Sequence, residues 1–106
     1  MKQLLVLFSL LALASCGSLN KSAEPISGVH TIACGKCIFD MTGDACELAI
    51  EVDGKYYYVE GTSIHDHGNP HAEGGMCLQK REAEVSGQLK HGVFVAESFE
   101  LIPLEK

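Results

Sequence analysis

After Met1-Lys2 the chain runs without a charge through apolar residues 4–14. That length suits the core of a secretory signal and falls short of the roughly 20 apolar residues a bilayer-spanning helix needs. From Val29 the pattern becomes one of alternation. Residues 29–33 predict a short first strand leading into Cys34-Gly35-Lys36-Cys37. Cys46, Leu48, Ile50 and Val52 share one face of a period-2 segment, the mark of a strand with one side buried. Asp53-Gly54 tolerates positive φ at both positions and predicts a two-residue hairpin turn, from which residues 55–60 return as an aromatic-rich strand. Residues 82–89 and 93–102 predict two more strands joined by a turn at Lys90-His91-Gly92, with Pro103 ending the second. Gly87 and Gly92 suit a bulge and a turn in that last hairpin.

Residues 61–76 break the alternation. They are rich in Gly, His, Asp and Asn, and carry Pro70. Thr62 or Ser63 can cap a short helical turn and Pro70 can open another, with Gly74-Gly75 as a stop. The order is therefore three strands, a short helical insert, and two strands. That is the order of a mostly β, five-stranded OB-like barrel with its insert between strands 3 and 4. A small β-sandwich is the alternative. Closure favours the barrel, because a thin domain gains from having no exposed sheet edge.

Composition then narrows the setting. The apolar start ends in Leu13-Ala14-Ser15-Cys16, which resembles the lipobox of bacterial lipoproteins. By that resemblance residues 1–15 are a signal peptide, and Cys16 is the lipidated first residue of the mature chain. Two or more acyl chains hold a protein stably on a membrane where one does not. Residues 16–27, polar and containing Gly, Ser and Pro, read as a flexible spacer, and residues 28–106 as one small Cys/His-rich domain. The absence of Asp directly after Cys16 favours an outer membrane, by the same resemblance, if the bacterium has two. Losing Lys2 with the signal leaves 7 basic residues against 14 acidic ones. That balance argues against nucleic acid or an anionic membrane surface as partner, and is compatible with cations.

A domain this small commonly needs disulfides or a metal to supplement its core. Setting Cys16 apart leaves Cys34, Cys37, Cys46 and Cys77, an even set with three possible pairings. In an oxidising compartment structural bridges are the default. The second cluster is His65-Asp66-His67, then His71, close to Cys77. Imidazole suits zinc and copper, and Cys shifts the preference toward Cu(I). Asp66 can ligate or orient an imidazole. These considerations place a candidate copper or zinc site on His65, His67 and His71, with Asp66 or Cys77, beside bridged cysteines. A zinc ribbon would want a second Cys-x-x-Cys, which the chain lacks. A thioredoxin-like use of Cys34 and Cys37 wants a βαβ unit, and the neighbourhood reads all-β. His30, His91, Met41 and Met76 read as structural residues. No nucleophile elbow, phosphate loop or spaced carboxylate pair is visible, so a non-enzymatic module is expected.

The residues Cys34-Gly35-Lys36-Cys37, Cys46, Asp53-Gly54-Lys55, Gly61-Thr62, Asp66-His67-Gly68, His71-Ala72 and Cys77, with Val85, Gly87, Gly92, Phe94 and Ala96, resemble an uncharacterised family of small secreted bacterial domains. The resemblance runs from about Ile32 to Pro103 and brings no activity with it. Two functions follow as expectations: a membrane-anchored module that holds a transition metal, or a disulfide-stapled module that binds an envelope protein or glycan. A thiol-redox protein using Cys34 and Cys37 is a third.

Overall fold

The computed structural model describes residues 23–104. The signal and lipobox at residues 1–16 lie outside the described residues. The five strands are β1 (Ala23–Cys34), β2 (Leu48–Val52), β3 (Lys55–Glu60), β4 (Arg81–Lys90) and β5 (Val93–Leu101). They close into a barrel in the order β1-β2-β3-β5-β4, which is the expected OB-type arrangement, and the sandwich alternative is excluded. Neighbours are antiparallel except β3 and β5, which run parallel through Tyr58↔Val93, Val59↔Phe94 and Glu60↔Val95.

The two hairpins form where positive φ is cheap. Asp53 and Gly54 sit at φ 53° and 82° between β2 and β3, and His91 and Gly92 at 52° and 82° between β4 and β5. Positive φ at both central residues matches the right-handed twist of the flanking strands. The ladder between β4 and β5 slips at Ser86/Gly87. A Cβ on Gly87 would meet Phe94 Cζ at 2.9 Å and collide with the Val95 carbonyl oxygen. Gly87 is thus the gap into which the fully buried Phe94 ring fits.

One boundary differs from the sequence reading. Ala23 to Ser27, expected as the end of a flexible spacer, pair with Lys90 to Ser86 along β4. Glu24, Pro25 and Ser27 face outward and Ile26 packs against the core, so pairing with β4 and this single apolar contact carry this stretch of β1. The residues of the insert make short single turns, as expected, with Asp66 N–H to Ser63 O at 3.0 Å and Ala72 N–H to Asn69 O at 3.1 Å among them.

The core fills the barrel with alternate residues of each strand, including Ile32, Ile50, Val85 and Phe94, while Ile64 and Met76 from the insert pack against the same cluster. Cys34 and Cys77 belong to it too. A second, smaller cluster lies apart from the first, where Phe39 packs with Ala33 and Ala49, flanked by Ile38, Met41 and Tyr58. Phe39 stacks on Tyr56 with ring centroids 4.4 Å apart, and Tyr58 donates its hydroxyl proton to the Thr42 carbonyl at 2.7 Å. These contacts hold the β1–β2 connection, which carries Cys37, on the barrel wall.

Candidate metal centre

Three segments deliver four sulfurs. Cys34 ends β1 and is fully buried. Just beyond it the chain makes a tight turn, with Ile38 N–H bonded to Cys34 O at 3.0 Å and Phe39 N–H to Gly35 O at 3.2 Å, and this turn presents Cys37. Within the turn the Cys37 N–H points at Cys34 Sγ at 3.4 Å. Cys46 arrives from the other end of the connection, where Gly35 N–H is tied to Glu47 O at 2.8 Å.

Cys77 comes from the insert, which one main-chain bond ties to the end of β1 and another folds back on itself. Cys34 N–H donates to Met76 O at 2.9 Å, and Cys77 N–H donates to Pro70 O at 3.0 Å. The second bond requires the chain to fold back so tightly that a Cβ on Gly75 would overlap Pro70 O. Gly75, expected to stop a helical turn, therefore serves to aim Cys77.

The result is a single cluster. The Sγ atoms of Cys34, Cys37, Cys46 and Cys77 all lie within 4.8 Å of one another. Cys34 and Cys46 stand at disulfide distance with Cα atoms 5.6 Å apart, and Cys37 and Cys77 lie outside that pair. Cys37 Sγ stands 3.9 Å from Cys46 Sγ. Cys37 is exposed and Cys46 half-buried, whereas Cys34 and Cys77 are buried. Burial, reinforced by the hydrogen bond and charge of Cys37, pushes the Cys77 thiol above its ordinary value. Burial also raises the Tyr58 phenol, with the Glu47 carboxylate adding to the effect.

The histidines are placed differently. Among the described residues, the cysteines form the group whose ligand atoms converge tightly enough to hold a metal. His67 Nε2 is hydrogen-bonded to Thr62 Oγ1 at 2.9 Å, and its ring packs against Phe99 with centroids 4.8 Å apart. The Asp66 carboxylate accepts from Ser63 N–H at 2.9 Å and from Thr62 Oγ1 at 3.3 Å, so it closes its own turn. His65 and His71 are exposed. His65 meets the cysteines only across a groove of about 390 Å³, which it lines together with Cys46, Glu47 and Thr62. The structure thus unites the four cysteines and leaves His65, His67 and His71 apart.

From the sequence, Cys34, Cys37, Cys46 and Cys77 are disulfide candidates and Cys77 also a candidate ligand; the convergence of all four sulfurs at one point is what the sequence does not record. The signal that remained was the even count of four around one tight Cys-x-x-Cys turn.

A model of DUF6370, a family of unknown function, matches residues 28–102. The chain belongs to the DUF6370 family. The match spans every ligand candidate from Cys34 to Cys77 and all five strands, apart from the first residues of β1. No curated protein and no solved structure matches the chain. For this DUF6370 domain the chemistry of the cluster is therefore the main guide to function. Four sulfurs at this separation can hold a metal ion as thiolates.

Proposed function

We propose that this DUF6370 domain is a membrane-anchored module that holds one thiophilic transition ion, zinc or Cu(I), on Cys34, Cys37, Cys46 and Cys77. Its role is sequestration or hand-over, without turnover. The convergence of the four sulfurs carries this reading. A zinc–sulfur bond of about 2.3 Å in a tetrahedron sets sulfurs about 3.8 Å apart, and Cys37 and Cys46 stand at 3.9 Å. Four thiolates favour zinc by geometry and Cu(I) by softness. The reading moves the ion from the histidines, where the sequence pointed, onto the cysteines. It needs the reduced state, because a sulfur bonded to another sulfur is no longer a thiolate ligand. The anchor rests on the lipobox resemblance at Cys16, and with it a place at the cell envelope, outside the cytoplasm.

The test uses the chain carrying Cys16→Ser, so that only the barrel cysteines count. Reduced without oxygen and stripped of metal, it should take up one zinc ion with micromolar or tighter affinity. Failure to bind zinc and Cu(I) alike would remove the proposal. A second reading, a disulfide-stapled interaction module, draws on the Cys34–Cys46 pair. It expects no ion and no change in folding or partner binding when His65, His67 and His71 become Ala.

A further inference from the structure

The four sulfurs differ in access and in pairing, and the differences fit a sequence of events. Cys37 is an exposed thiol at 3.9 Å from Cys46 Sγ. Cys46 is half-buried and stands at disulfide distance from the fully buried Cys34. Cys77 is buried on the insert and takes no part in that pair. An exposed thiol, a resolving sulfur beside it and a protected final pair are the elements of thiol–disulfide exchange.

We propose that the site reacts with small-molecule disulfides by exchange, entering at Cys37 and ending at the Cys34–Cys46 bond, and that this reaction expels the bound ion. In the first step the Cys37 thiolate attacks one sulfur of the small disulfide. A Cys37 mixed disulfide forms, and one small thiolate leaves. Next the Cys46 thiolate attacks Cys37 Sγ, and the second small thiolate leaves. The Cys34 thiolate then attacks Cys46 Sγ, the Cys34–Cys46 bond forms, and Cys37 is regenerated as a thiolate. In sum, two electrons pass from the protein to the small disulfide, which becomes two thiolates. The coordination shell loses two of its four ligands, and the ion departs as the divalent cation when it is zinc. Reduction by small thiols runs the steps backward and restores the site. The pair differs from the Cys34/Cys37 couple that a Cys-x-x-Cys motif suggests.

Only the release of the ion rests on the metal reading; the exchange stands on the sulfurs alone. The test treats the reduced, zinc-loaded Cys16→Ser chain with oxidised glutathione beside a chromophoric zinc chelator, and maps disulfides by peptide mass spectrometry. One Cys34–Cys46 bond should form per ion released. In metal-free protein Cys37→Ser should slow formation of that bond by about tenfold or more. A terminal bond other than Cys34–Cys46 in the wild type, or a Cys37→Ser rate equal to wild type, overturns the inference. If the reduced chain holds no zinc, the metal reading alone fails, because the disulfide map and the Cys37→Ser rate still decide the exchange.

Discussion

Replacing Cys77 by Ala separates the cysteine account from the histidine account. Cys77 is the one cysteine of the four that lies on neither β1 nor the β1–β2 connection, so it alone ties the insert to the other three sulfurs. Structural zinc sites bind with about 10–16 kcal/mol at neutral pH. Sharing that among four sulfurs gives about 2.5–4 kcal/mol for one of them, or roughly 100- to 1,000-fold in Kd. The burden on the fold is small, since a buried thiol becomes a methyl in an apolar setting. Competition of the reduced protein with a chromophoric chelator measures the change, with His65→Ala/His67→Ala/His71→Ala as the partner experiment. The triple variant should stay within about threefold of wild type, because none of its imidazoles reaches the cluster. A Cys77→Ala protein with unchanged affinity, or a triple variant that loses zinc, would refute the assignment.

Three further predictions follow from the packing. Gly75→Ala should weaken zinc binding and lower the unfolding midpoint, because its Cβ overlaps Pro70 O and disturbs the bond that aims Cys77; chelator competition and thermal unfolding read both. Phe94→Ala should cost about 3–5 kcal/mol in urea unfolding, as a fully buried ring seated over Gly87 is lost. Tyr58 holds its proton more tightly folded than unfolded, so its contribution is full below pH 10 and is lost as pH rises through the raised folded value. Tyr58→Phe should therefore lower stability at neutral pH, through loss of the bond to Thr42, and flatten the decline above pH 10; urea midpoints across pH 8–11 would show it.

The barrel was legible in the sequence where local chemistry agrees with the global fold. The β2–β3 hairpin announces itself through Leu48, Ile50 and Val52 on one face and Asp53-Gly54 at the tip. The β4–β5 pair was readable for the same reason, with His91-Gly92 as its turn and Gly87 at its bulge. The start of β1 was not, because Glu24, Pro25 and Ser27 carry no apolar alternation and owe their place to pairing with β4. The site was half legible. Cys34 and Cys37 come with the turn that Gly35 and the following amides build. Cys46 reaches it through the β1–β2 pairing with its Gly35–Glu47 bond, and Cys77 through the Cys34–Met76 bond, which no spacing along the chain records. The His65-Asp66-His67 run points to a metal because it is dense in donors, yet Asp66 Oδ2 and His67 Nε2 are held by Thr62 and Ser63.

The central claim is that reduced Cys34, Cys37, Cys46 and Cys77 bind one metal ion together. Titrating Co(II) into the reduced, metal-free Cys16→Ser chain tests it directly, because sulfur-to-cobalt charge-transfer bands count thiolate ligands and the visible bands report tetrahedral geometry. Saturation at one ion per chain is expected, with a four-thiolate, tetrahedral spectrum that zinc displaces. A featureless titration of a chain shown to carry four free thiols would contradict it.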